Sequence, residues 1–194
     1  MRPRAEGNKP RFPLNKAQGV ACELLQRLRE LHPVERGSIA GSLRRGIETV
    51  GDIDLVVASK EPQQASNAFL SLPWKSLRLH STDKLETKVF TLTYDDIPVD
   101  LWIVDPDVYG VALFNRTGST AYLMKIYKLA LDRIYGANWS HDVQEHYAAF
   151  LKGDARFRTR AQMKLFLRLV NHGSTELDVF RALELPWVAP ALRE

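Results

Sequence analysis

Two aspartates two residues apart, Asp52 and Asp54, stand at the head of an apolar run, Leu55-Val56-Val57-Ala58. Side chains alternate along a strand, so both carboxylates leave the same face. Half-buried there, they repel one another. A divalent cation removes that penalty, and Mg²⁺ favours one or two carboxylates completed by substrate phosphate oxygens. Upstream lies Gly41-Ser42, where backbone N–H groups can approach an anion closely. Between turn and carboxylates sits the pair Arg44-Arg45, and an arginine fork suits phosphate. The competing reading has Asp52 closing a Gly-Asp turn and Asp54 solvated on an edge strand. The glycine-serine turn and the arginines, all within the same fourteen residues, favour a site for a metal-bound triphosphate.

The elements that would position these groups follow from periodicity. Residues 13–31 carry Val20, Cys22, Leu24, Leu25, Leu28 and Leu31 at helical spacing, with Asn15 as a cap and Cys22 inside the apolar face. Residues 34–40 form a strand into the Gly-Ser turn, and Ile53 onward forms the next. Residues 63–72 are helical, 77–80 alternate briefly, and 88–94 form a strand. Asp95-Asp96 makes a hairpin turn into the partner strand, residues 97–104. Pro98 places that strand at an edge, or itself at the strand's start. Asp100 is the one charge in this eight-residue apolar strand, where an unpaired carboxylate would be costly. Delivering it to Asp52 and Asp54 as a third metal ligand resolves the cost. Asp95 and Asp96 compete for that role, but the turn explains them. Helices follow over 108–114 and 119–135, flanking a polar break at residues 115–119. His141 and His146 lie five apart, a spacing that reads as a solvated helix face.

Gly41-Ser42-Leu43-Arg44-Arg45-Gly46 with Glu48-Thr49-Val50-Gly51-Asp52-Ile53-Asp54 resembles the nucleotidyltransferase signature of family X DNA polymerases. Val99-Asp100-Leu101-Trp102-Ile103-Val104 is similar to the family strand that carries the third carboxylate. Thr117-Gly118-Ser119 matches a family loop where the nucleotide's sugar and base pack. There the family has an aromatic pair, and this chain has Asn115-Arg116. An asparagine and a long, mobile arginine imply softer crowding of the sugar's 2′ position. A final resemblance covers residues 176–187 and 190–194, a run that closes the thumb in family members and carries no chemistry itself.

The resemblance implies an α+β fold: a nucleotidyltransferase palm of mixed sheet and helices over residues 13–105, then a small, mainly helical thumb over 106–194. Residues 1–12 would be a flexible basic arm. Lyase and helix-hairpin-helix domains found in larger members do not fit in 194 residues, so the chain looks like the reduced palm-and-thumb members. The activity implied is DNA-directed DNA polymerisation by two-metal nucleotidyl transfer, with Asp52, Asp54 and Asp100 holding two Mg²⁺ (or Mn²⁺) ions. Gly41, Ser42, Arg45 and Gly51 would hold the phosphates, and residues Asn115, Arg116, Thr117, Gly118 and Ser119 the sugar and base. The partners would be dNTPs and gapped or primer-template DNA. A basic concentration, Arg156, Arg158, Arg160, Lys164 and Arg168, reads either as a solvated face or as a DNA-backbone patch. Two alternatives stay open: a nucleotidyltransferase acting on RNA or without a template, and a non-catalytic DNA-end-binding module.

Bulk properties agree with these readings. A net charge of +4 and a pI near 9.2 are mild, so where the charge sits says more than its size. No apolar run is long enough for a membrane span, and the basic N-terminus lacks a signal-peptide core. A single cysteine excludes an internal disulfide and favours an intracellular protein; a monomer is expected.

Overall fold

The computed structural model describes residues 10–72, 78–83, 88–136, 138–151 and 173–194. Its centre is a five-stranded sheet of β2 (Arg36–Ile39), β4 (Ile53–Ala58), β7 (Ile97–Val104), β6 (Lys88–Tyr94) and β5 (Arg78–Asp83), in that spatial order. Only the β4–β7 pair is parallel among these neighbours, so the sheet is mixed.

Alternation along β4 and β7 divides the sheet's two faces. Ile53, Leu55, Val57, Val99, Leu101 and Ile103 point to one side and form a core with Ala17, Leu24 and Leu28 of α1 (Leu14–Arg29) and with Ala65 and Phe69 of α3 (Pro62–Ser71). On the opposite side, Val56, Ala58 and Val104 pack beneath Tyr109, Ala112 and Leu113 of α4 (Tyr109–Thr117), with Trp102 partly buried beside them. Asp54 and Asp100 share this second face by the same alternation. A strand buried on both sides reads as an unbroken apolar run, as Leu55–Ala58 of β4 does after Asp54.

Helix α4 also builds a second core. Val111 and Phe114 meet Leu123, Ile126 and Tyr127 of α5 (Thr120–Tyr135) and Val179 and Phe180 of a C-terminal helix, α7 (Glu176–Ala182). Phe114 and Phe180 pack edge to face with centroids 5.4 Å apart. Gly110 lets α4 come this close, because a Cβ there would collide with the Thr175 backbone. Helix α6 (His141–Leu151) packs Val143 and Tyr147 on the same cluster. Helix α4, placed at the head of the thumb by sequence, is therefore shared by the cluster on the second face of the sheet and the C-terminal core. No helix among the described residues is long and apolar enough to cross a membrane.

Several boundaries differ from expectation, each for a local reason. Cys22 is exposed, not buried. The buried arc of α1 is Ala17, Val20, Ala21, Leu24, Leu25 and Leu28, spaced by three and four, and position 22 falls off it. Asn15 does not cap α1. The extended dipeptide β1 (Phe12–Pro13) runs straight into the helix, which begins at Leu14. β1 pairs with β3 (Thr49–Val50), and Arg11 donates to Thr49, so the end of the basic segment is clasped to the strand before Gly51-Asp52. Residues 1–9 of that arm lie outside the described residues. β5 extends to Asp83 because it pairs along β6, with an irregularity between Leu79 and Ser81. α4 continues through Asn115 and Arg116 to Thr117, so the break is Gly118-Ser119 alone. Pro98 sits near the start of β7, and β7 is an interior strand.

Candidate active site

Asp54 and Asp100 are direct neighbours across the parallel pair β4–β7. The register is set by the hydrophobic pattern of both strands, since a slip of one residue would turn Leu55 and Leu101 to the wrong face. Asp52 stands one residue before β4, exposed, in the loop that the β1–β3 clasp anchors. Asp95 and Asp96 occupy the tip of the β6–β7 hairpin with φ of 48° and 63°, a two-residue turn of left-handed residues. That geometry explains both aspartates.

Burial pushes the Asp54 carboxyl up to about 7 from 3.8; the nearby Arg116 charge opposes this, while Asp52 and Asp100 add to it and Arg45 subtracts. Two adjacent carboxylates and a third close enough to raise the pKa are a donor set short of positive charge. This suits a hard divalent cation completed by phosphate oxygens. Among the described residues, no three Asp, Glu, His or Cys side chains converge into a ready-made metal cage. His141, on α6, is exposed and lies 4.0 Å from Glu145.

Gly41 opens α2 (Gly41–Arg45) at φ 62°, a conformation suited to glycine. A Cβ at this position would run into the Asp54 carboxylate. The turn is held down on β4 by the Ala40 N–H, which donates to the Asp54 carbonyl at 2.8 Å. Ser42 is half-buried beside it, and Gly51 sits in the loop leading to Asp52. Of the phosphate-cradle candidates, Gly41 thus lies directly against the Asp54 carboxylate, with Ser42 next to it in α2 and Gly51 next to Asp52 in the chain.

The two arginines separate in role. Arg44 donates both Nη1 and Nη2 to Glu176 on α7 at 2.7 Å, and Nη1 also reaches Thr117 Oγ1 at 2.8 Å. Arg45 donates Nε to Glu194 Oε1 at 2.6 Å and Nη1 to the Thr117 carbonyl at 2.8 Å. Glu176 is shared with Arg193, whose Nη1 donates to it at 2.6 Å. Arg193 is fully buried, ringed by Phe114, Phe180 and Trp187. The C-terminal run, expected to be free of chemistry, thus brings Glu176, Arg193 and Glu194 to the site's edge.

Residues 115–119 are brought to the same place. Thr117 is buried between both arginines. Ser119 caps α5 by accepting from the Tyr122 N–H, and its own N–H donates to the Arg193 carbonyl at 2.8 Å. The Arg116 guanidinium stacks 3.8 Å from the centroid of Trp102, two residues beyond Asp100 on the same face. Arg116 is therefore seated on a ring, contrary to the mobile side chain its type implies. Asn115 is 5% exposed, and its amide oxygen and nitrogen both lack a hydrogen-bond partner among the described residues. Such an orphan amide is costly unless water or a ligand satisfies it. The basic candidates Arg156, Arg158, Arg160, Lys164 and Arg168 lie outside the described residues.

Sequence reasoning missed Thr91, whose hydroxyl donates to Asp100 Oδ1 at 2.8 Å. It also missed Trp102, Glu176, Arg193 and Glu194. A strand threonine carries no signal alone, and the charged partners of Arg44 and Arg45 are 132 and 149 residues away in sequence.

Comparison with known proteins bears on the same region. The family model of the DNA polymerase beta palm matches residues 11–94. The DNA polymerase/3'-5' exonuclease PolX of Bacillus subtilis (strain 168) is 30% identical over 128 residues, which cover 66% of this chain and 22% of that protein. The palm match starts at Arg11, where the β1–β3 clasp begins, and stops before β7. Asp100 thus comes to the site through strand register, independently of the palm match.

Proposed function

We propose that this chain, which is similar to the DNA polymerase beta palm over residues 11–94 and to PolX over 128 residues, is a DNA-directed DNA polymerase of family X adding deoxynucleotides to a primer 3′-hydroxyl, in short-gap filling during repair. The observation that carries this reading is the Asp54–Asp100 pair, in register beneath Gly41 and beside Arg45. Asp52, Asp54 and Asp100 would hold two Mg²⁺ ions, or Mn²⁺. When bound, such ions supply Lewis acidity to the primer hydroxyl and neutralise phosphate charge. The protein's own part is placement. Gly41, Ser42 and Gly51 give the β and γ phosphates close backbone approach, and Arg45 offers them a charged fork once Glu194 leaves it. Thr117, Gly118 and Ser119, held by both arginines and Arg193, fix the loop against which sugar and base would rest. Asn115 and Arg116 stand at its entrance. In the reaction the primer 3′-hydroxyl gives up its proton to solvent, its oxygen forms a bond to the α-phosphorus, the bond to the bridging oxygen breaks, and pyrophosphate leaves. The DNA would be gripped through Arg156, Arg158, Arg160, Lys164 and Arg168.

The test is primer extension on a single-nucleotide gap with four dNTPs and Mg²⁺. Wild type should insert the templated base, and Asp54→Asn and Asp100→Asn should each lower insertion by about 10²–10³-fold while remaining folded. Insertion without regard to template, or preferential extension of RNA, would move the assignment to a non-templated or RNA nucleotidyltransferase. DNA binding with no extension under any divalent cation would leave a DNA-end-binding module.

A further inference from the structure

Three adjacent strands carry a row of polar residues at one level of the sheet. Thr91 on β6 lies directly opposite Asp100 on β7, and Asp100 lies directly beside Asp54 on β4. The Thr91 hydroxyl donates to Asp100 Oδ1 at 2.8 Å. Oδ2 receives no such bond among the described residues.

We propose that Thr91 is a positioning residue for the polymerase reaction, holding Asp100 by one oxygen so that the other is presented beside Asp54. The proposal rests on the function argued above. Its physical basis is rotamer control. An aspartate on a strand can rotate about two bonds, and repulsion from Asp54 turns its carboxylate away. A hydrogen bond from β6 fixes the rotation before any cation arrives. Threonine is stiff at χ1 in a strand, so its hydroxyl is preset toward β7. Hydrogen-bond partners of metal-ligating carboxylates orient the ligand, and losing one costs about 10–100-fold in metal affinity or activity. Both inner strands are fixed by packing, with Phe90, Leu92, Val99 and Leu101 buried around this rung. The geometry therefore does not depend on a mobile segment.

The decisive variant is Thr91→Val, which keeps the shape and strand preference and deletes only the donor. Mn²⁺ affinity, read by electron paramagnetic resonance without DNA or nucleotide, should weaken about 10–100-fold, and kcat for gap filling should fall by a similar factor. KM for dNTP should stay within about twofold, because Thr91 touches no phosphate-cradle residue. Thr91→Ser, which restores the hydroxyl, should recover most of both losses. Should valine prevent folding, Thr91→Ala and Thr91→Ser form the same comparison in a smaller side chain. Wild-type Mn²⁺ affinity and kcat in the folded hydroxyl-free variant would overturn the role of Thr91 while leaving the polymerase assignment intact. Loss without rescue by serine would also overturn it, since the effect would then lie in packing. A wild-type protein that extends no primer, yet loses Mn²⁺ affinity on Thr91→Val and regains it with serine, would refute the polymerase reading and uphold the positioning of Asp100.

Discussion

A carboxylate that is costly to ionise in the folded state makes pH and metal interchangeable at this site. The Asp54 carboxyl sits near 7, chiefly through burial, against 3.8 for an ordinary aspartate. A carboxyl raised on folding favours the folded state when protonated. Without metal, Asp54 therefore contributes stability below pH 4, and that contribution is lost as the pH climbs through about 7. Thermal melts in a chelating buffer should show Tm falling across that window, with millimolar Mg²⁺ recovering the loss at pH 7.5. Asp54→Asn should flatten the metal-free curve and abolish the recovery; an identical slope in the variant would place the titrating group elsewhere. The placement of these carboxylates was partly legible in the chain. Asp52 and Asp54 declare themselves by their spacing, and Asp100 by being a lone charge in an apolar strand. Cys22 was misread because α1 has a broad apolar composition, and composition does not reveal which arc meets the sheet. Arg116 was misread because its partner, Trp102, belongs to another element.

Elements meet at Glu176. This first residue of α7 is 6% exposed and takes hydrogen bonds from Arg44 on α2 and from the buried Arg193. One carboxylate thereby joins α2, the C-terminal helix and the segment after it. A buried ion triad gives little net stability relative to an apolar core, but removing one member leaves the others uncompensated. Glu176→Gln should cost about 3–5 kcal/mol in urea denaturation. It should also raise KM for dNTP, because Arg44, which in turn holds the Thr117 hydroxyl, loses its anchor. A variant as stable as wild type would mean that the two arginines find solvent or other partners without cost. The sequence announced α7 itself through an amphipathic run, and its Thr175–Asp178 capping box is visible in structure. What it could not announce was the pairing, since a charge on a helix end reads as solvated until tertiary structure buries it.

For the molecule as a whole, the question is what a triphosphate bound as proposed would displace. Arg45 is well covered, yet its Nε is engaged by Glu194, whose side chain is 54% exposed. Its Nη1 is held by the Thr117 carbonyl. A carboxylate and a phosphate oxygen compete for the same guanidinium edge, and both cannot be accommodated at Nε. The chain segment packed over α2 therefore carries its own anion onto the residue expected to take the β and γ phosphates. Because Glu194 is largely solvated, its hold on Arg45 is that of a surface pair, about 0.2–1 kcal/mol after solvent screening. That range converts to a change in apparent nucleotide affinity of roughly 1.4- to 5-fold. Glu194→Gln, which keeps the shape and removes the charge, should lower KM for dNTP within that range and leave kcat unchanged. The gain should shrink as salt rises, since screening weakens the competing pair in wild type. Steady-state gap filling at low and high salt measures both effects. A glutamine variant with an unchanged or higher KM at low salt would show that Glu194 supports Arg45 and does not compete for it.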